Sequence, residues 1–230
     1  MKKIIIGGCS FSQFMNENSP WKSWTNFLDE EYREFIGISN RAQSSYGQGA
    51  IVENVLYDII IKNYDVDLVI VQWSAIGRGM GTNQKDFFKK VLDDHSGGYM
   101  LTNSIEYFGN GITEDEISDK MNRISNSFVR HSLLQIKLLK DFLTLHNIPH
   151  LFYWGWEQLT DESTEEYRSL VDSIYSNSWW LPDGNTGMSE YVVKKFGNNA
   201  LLPRDFHPTT ESHKYFYDTI INPYIKKNIL

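Results

Sequence analysis

The chain has 230 residues, of which 41% are hydrophobic and 22% charged, and a formal net charge of -7. That length suits one domain with a sizeable core, and the acidic balance supplies no basic patch for a phosphate backbone, which argues against nucleic acid as a partner. A single cysteine excludes an internal disulfide and a cysteine-only metal site, and no apolar run approaches the roughly 20 residues of a membrane span.

In chain order, Lys3 to Gly7 reads as a first strand. Its Lys2-Lys3 pair carries the charge of a signal peptide, but Ile4-Ile5-Ile6 is too short for the apolar core of one, so a cytoplasmic location is the default expectation. The strand runs into a small-residue turn, Gly7-Gly8-Cys9-Ser10-Phe11-Ser12. Ser19-Pro20 predicts a helix entry, with Trp21, Trp24, Phe27 and Leu28 as its apolar face. Glu34 to Ser39 predicts a second strand ending at Asn40. A glycine-bearing loop, Arg41 to Gly49, then leads into a helix with Ile51, Val55, Leu56 and Ile59 inward. Asp67 to Trp73 is an aliphatic run suited to a central parallel strand.

Residues 79–112 are rich in Gly, Asn and Asp without sustained periodicity, and read as an insertion or lid. Thr113 and Glu116 form a capping-box pattern ahead of a long amphipathic helix. Its predicted inward stripe is Ile117, Met121, Ile124, Phe128, His131, Leu134, Leu138, Phe142 and Leu145, which makes His131 a buried or half-buried histidine. His150 to Trp154 is another strand, Ser163 and Glu166 cap a helix to about Ser176, and Ser189 to Phe196 is a short helix. A closing helix starts after Thr209 and weakens at Pro223. Alternation of strands and helices predicts a three-layer α/β/α sandwich around a parallel sheet of about five strands, as one domain over residues 1–230.

Acyl transfer by serine needs a nucleophile, a histidine base, a group that orients the base, and donors for the oxyanion. Ser10 follows strand one at the carboxyl edge, where open α/β sheets place their ligands. His207 lies in Arg204-Asp205-Phe206-His207-Pro208, stiffened by the proline, with Asp205 as the nearest acid. Backbone amides of the Asn40–Gly49 loop and the Trp73–Arg78 segment fall on the same sheet edge. So does Trp154-Gly155-Trp156, whose rings read as cleft walls able to stack on a sugar; Trp179-Trp180 is a weaker version of the same pattern. Cys9 is a competing nucleophile, but neighbours in a turn point in different directions, which favours Ser10. His213 reads as a helix-surface or cap residue, and His95, beside Asp93-Asp94, as a solvated tip. No histidine or cysteine spacing supports a metal, no Gly-Lys-Ser/Thr phosphate loop is present, and no cofactor is expected.

On these blocks the chain resembles the SGNH/GDSL hydrolases, a flavodoxin-like fold. Gly8-Cys9-Ser10-Phe11-Ser12 is similar to that family's Gly-Asp-Ser-Phe-Ser turn and carries the nucleophile role onto Ser10. Asn40 to Gln48 resembles the second block and puts the oxyanion amide on Ser45 or Gly47. Asp205 to Pro208 resembles the last block and makes His207 the base. Three departures stand out. Cys9 replaces the family aspartate. The Gly-x-Asn-Asp block reads Gln72 to Arg78, so its side-chain amide is missing or replaced by Ser74 or Arg78. The aspartate usually three residues before the histidine is Arg204, which leaves Asp205 or a backbone carbonyl to orient His207. Trp73 and Arg78 resemble a divergent branch of the family. The resemblance implies a serine esterase acting on a small-molecule or carbohydrate ester such as an O-acetyl group. The alternatives are an acyltransferase using the same serine, or a non-catalytic binding protein on the same fold.

Overall fold

The computed structural model describes residues 1–44, 46–74, 114–156, 165, 167–175, 178–180, 186–203 and 207–230, the side chains of 114–128 excepted. Four strands form one parallel sheet: β1 (Lys2–Gly7), β2 (Ile36–Asn40), β3 (Leu68–Trp73) and β4 (His150–Trp154), in the order β2-β1-β3-β4. Register is fixed by pairs such as Ile4 with Ile38 and with Leu68, and Val71 with Phe152. The sequence predicted about five strands; four are described, and the next position outward holds only a single parallel bridge from Phe152 to Trp179. There Phe152 N–H donates to Ser178 O and Trp180 N–H to Phe152 O, each at 2.8 Å, but the pairing extends no further among the described residues.

Residues alternate between the two faces of each strand, so each aliphatic run feeds two cores. Ile5, Val69, Val71, Trp73, Phe152 and Trp154 pack under α2 (Gln48–Leu56), α3 (Glu114–Leu145) and α4 (Arg168–Ile174). Ile4, Ile6, Leu68, Ile70, Leu151 and Tyr153 pack under α1 (Trp24–Tyr32), α5 (Met188–Phe196), α6 (Thr210–Phe216) and α7 (Asn222–Asn228). Helices therefore cover both faces, the predicted three layers. No helix among the described residues is long and apolar enough to cross a membrane.

Several boundaries differ from the sequence reading. α1 begins at Trp24, because Asn26 Oδ1 accepts from the Ser23 N–H at 3.0 Å and so caps the helix later than Ser19-Pro20 would. Among the described side chains of α3 the buried apolar residues are Val129, Leu133, Ile136, Leu139 and Leu143, whereas Leu134, Leu138 and Leu145 are 49%, 55% and 77% exposed and His131 is exposed too. The sequence predicts a closing helix that weakens at Pro223; its irregularity lies just upstream, where a π turn, Tyr217–Ile221, separates α6 from α7 and Pro223 falls in the first turn of α7. Pro223 cannot donate and its ring crowds the carbonyl four residues back, which the wider turn relieves. The expected lid 79–112 and the Thr113, Ser163 and Glu166 caps lie outside the described residues.

Candidate active site

β1 ends at Gly7, and the chain passes through Gly8 and an extended Cys9 into a 3-10 turn, Ser10–Ser12. A Cβ on Gly8 would stand 3.0 Å from Ser12 Cβ and 3.2 Å from Gln72 Cβ, so glycine lets the turn fold down onto β3. Ser10 is thereby held at the carboxyl edge, beside the point where the sheet order reverses.

His207 arrives from the other end of the chain on a pinned loop. Leu202 N–H donates to His207 O at 2.7 Å, Leu201 pairs antiparallel with Pro208, and Thr209 N–H donates to Ala200 O at 2.9 Å. The Thr209 hydroxyl then caps α6 by accepting from Ser212 N–H. These contacts bring His207 Nε2 to 2.7 Å from Ser10 Oγ. With its hydrogen on Nδ1, the imidazole accepts the serine proton at Nε2, the arrangement a general base requires. Phe11 meets the imidazole edge-on at 5.1 Å, and Trp21 lies 5.8 Å away at 44°.

Beneath the turn lies a buried polar layer. Gln72 Oε1 accepts from Cys9 N–H at 3.2 Å and from the Cys9 thiol at 3.3 Å. Ser12 Oγ accepts from Trp24 Nε1 and bonds the Tyr153 hydroxyl, both at 3.0 Å. Complete burial pushes the Tyr153 hydroxyl far above the usual tyrosine range, so it stays protonated and able to donate.

The loop after β2 is tied to the same turn. Asn40 Nδ2 donates to Ser12 O and Asn40 Oδ1 accepts from Ala42 N–H, each at 2.9 Å, while Gln43 N–H donates to Gly8 O at 3.2 Å. Arg41 anchors the loop from below through two hydrogen bonds to Asp58, at 2.8 and 2.6 Å, whose carboxylate is fully buried. Burial raises the Asp58 pKa, but the hydrogen bonds from Arg41 and Ser39 and the charge of Arg41 outweigh it and hold the group below the usual carboxylate range. Gly47, also buried, opens α2, and Gln48 Nε2 reaches across to Ser74 O at 2.6 Å. Ser74 Oγ is buried with no hydrogen-bond partner among the described residues.

No family model matches the sequence, and no curated protein matches it. Solved structures do. An esterase from a Pseudoalteromonas species, solved in a form inhibited by monoethylphosphonate, is 14% identical and superposes with a TM-score of 0.52, covering 99% of this chain and 98% of its own. A Parabacteroides merdae protein described as a GDSL-like lipase is 12% identical with a TM-score of 0.50, over 99% of this chain and 95% of its own. The chain has the SGNH-hydrolase fold. A catalytic mutant of an acetylxylan esterase from Geobacillus stearothermophilus has it too, at 14% identity and a TM-score of 0.51, over 97% of this chain and 94% of its own.

Within the SGNH frame, the structure brings Ser10 and His207 together. Asp205, Ser45 and Arg78 lie outside the described residues. Trp154, expected as a cleft wall, and Trp73, expected with the Trp73–Arg78 segment among the substrate-binding residues of the sheet edge, are core residues instead: both are fully buried on the α2–α3–α4 face, and Trp154 Nε1 donates inward to the Tyr175 hydroxyl at 3.0 Å. The rings beside the histidine are instead Phe11 and Trp21, with half-buried Trp156 5.1 Å from Phe11. Cys9 is fully buried and turned to Gln72, whereas Ser10 Oγ is the group at His207. His213 is not on the surface. It is fully buried, stacked on Trp21 at 5.7 Å and 15°, and neither ring nitrogen has a hydrogen-bond partner among the described residues. Burial, and then the charge His207 would carry, lower its pKa to about 3. Sequence reasoning gave Gln72 no role of its own: it read as a residue of a buried strand and the start of the segment in place of the Gly-x-Asn-Asp block. Among the described residues no group of three or more His, Cys, Asp or Glu could hold a metal ion.

Proposed function

We propose that the chain is a serine ester hydrolase in which Ser10 is the nucleophile and His207 the general base. The observation that carries this is the 2.7 Å contact between Ser10 Oγ and His207 Nε2 at the carboxyl edge of the sheet. His207 takes the hydroxyl proton as Ser10 Oγ attacks the ester carbonyl, and returns it to the leaving alcohol. Water, activated by the same histidine, then releases the acyl group. The oxyanion is held by the Ser10 N–H, at the start of a turn where no turn carbonyl serves it, by an amide of the loop at residues 45–47, and by the Ser74 hydroxyl.

The substrate class is a carboxylic ester, and an O-acetyl group on a carbohydrate suits the half-buried rings of Trp21, beside the histidine, and Trp156, beside Phe11. Assay of p-nitrophenyl acetate and an acetylated oligosaccharide with the wild type, Ser10→Ala and His207→Ala tests the reading. Hydrolysis lost about 10³-fold or more in both variants is the expected result. Equal rates in wild type and Ser10→Ala would overturn it.

A further inference from the structure

We infer that Gln72 is a positioning residue that sets the placement of Ser10 by holding both flanks of its turn. Gln72 is fully buried on β3, at the centre of a parallel sheet covered on both faces, where an amide is costly unless both its ends are paired. Both are. Oε1 accepts from Cys9 N–H and Cys9 Sγ and, at 3.5 Å, from Ser12 Oγ, while Nε2 donates to Trp73 O at 2.9 Å. Cys9 precedes the nucleophile and Ser12 closes the turn, so one carbonyl oxygen ties down the chain on either side of Ser10.

The slot for this side chain is built by two glycines on neighbouring segments. A Cβ on Gly155 would overlap Gln72 Nε2, and one on Gly8 would press within 3.2 Å of Gln72 Oε1. Gly155 is held there by its own N–H, which donates at 3.0 Å to the same Trp73 carbonyl. The sequence thus gives up two side chains to admit one buried amide under the turn. Packing alone does not call for that, since an aliphatic residue would fill β3 without needing partners.

The catalytic consequence rests on Ser10 being the nucleophile; the hold on the turn does not. Four proteins separate the two: wild type, Gln72→Met, Gly155→Ala and Gln72→Glu. Methionine keeps the length and removes the polar atoms, and the alanine methyl displaces Nε2. A protonated glutamate restores one acceptor and one donor. Two quantities are read on each: the infrared S–H stretch of Cys9, the only cysteine in the chain, and the rate of fluorophosphonate addition to Ser10.

In Gln72→Met and Gly155→Ala the S–H band should move to higher wavenumber and addition should slow about 10- to 100-fold, with the circular dichroism unchanged. Gln72→Glu should recover both towards acidic pH, where its carboxyl is neutral, the addition rate being taken relative to the wild type at the same pH because acid also protonates the histidine base. An unshifted band and an unchanged rate in Gln72→Met overturn the inference. If the wild type forms no adduct, the nucleophile reading fails, while the band alone still decides whether Gln72 holds the turn.

Discussion

His213 is a buried imidazole with neither nitrogen satisfied among the described residues, stacked on the tryptophan that borders His207. Its pKa falls to about 3 in the folded protein, whereas an unfolded chain protonates histidine near the ordinary value of about 6.5. The unfolded state therefore binds more protons below that value, and stability falls as pH falls until the folded group itself titrates. Each pH unit in that window costs about 1.4 kcal/mol, so this one residue removes about 2 kcal/mol between pH 7 and pH 5. Glu31, Asp58 and Asp67 are all held below the ordinary carboxylate range, so their contributions are lost only at lower pH. His150, also held low by burial, acts in the same direction as His213, which makes the difference between two proteins the informative quantity. His213→Phe keeps a ring against Trp21 and removes the titration. Urea denaturation at pH 7 and pH 5 should show the wild type losing about 2 kcal/mol more than the variant. At pH 7 the variant should be as stable or more so, because two unpaired buried nitrogens are gone. Parallel losses, within about 0.5 kcal/mol, would refute the assignment of a neutral, desolvated His213.

Arg41→Met should cost about 2–3 kcal/mol by denaturation at neutral pH, below the full cost of orphaning a buried charge because Lys62 still faces Asp58 at 3.3 Å; a loss under about 1 kcal/mol contradicts the anchoring role. Ser74→Ala should lower kcat for p-nitrophenyl acetate about 10²-fold, the scale of one oxyanion donor, without loss of stability; an unchanged kcat removes Ser74 from the oxyanion site. Trp154→Phe should lower the melting temperature through loss of its bond to Tyr175 and leave KM unchanged, as suits a core residue; a raised KM at unchanged stability would return Trp154 to the cleft.

The strands were legible because parallel strands buried on both faces read as aliphatic runs, as in Ile4-Ile5-Ile6 and Leu68-Val69-Ile70-Val71. The same double burial hid the fate of the tryptophans: at the carboxyl end of a strand, a ring facing the core and a ring facing a cleft have the same local sequence. On α3 the doublets Leu133-Leu134, Leu138-Leu139 and Phe142-Leu143 offer two stripes about 100° apart, and the sequence reading took the less buried member of each. Ser10 and His207 were visible because each stands where the fold leaves a functional group, after a first strand and before a last helix. Gln72 left no such mark, since its partners Cys9 and Gly155 lie far from it along the chain and meet it only once β1, β3 and β4 align.

The pairing of Ser10 with His207 is tested most directly by a fluorophosphonate probe, read by intact mass and peptide mapping on the wild type, Ser10→Ala and His207→Ala. It needs no choice of substrate. A single adduct on Ser10 that vanishes in both variants is the result the proposed mechanism predicts, since in it His207 activates the hydroxyl through the 2.7 Å contact. A well-folded wild type that takes up no probe, or an adduct that persists in His207→Ala, would contradict a serine activated by this histidine.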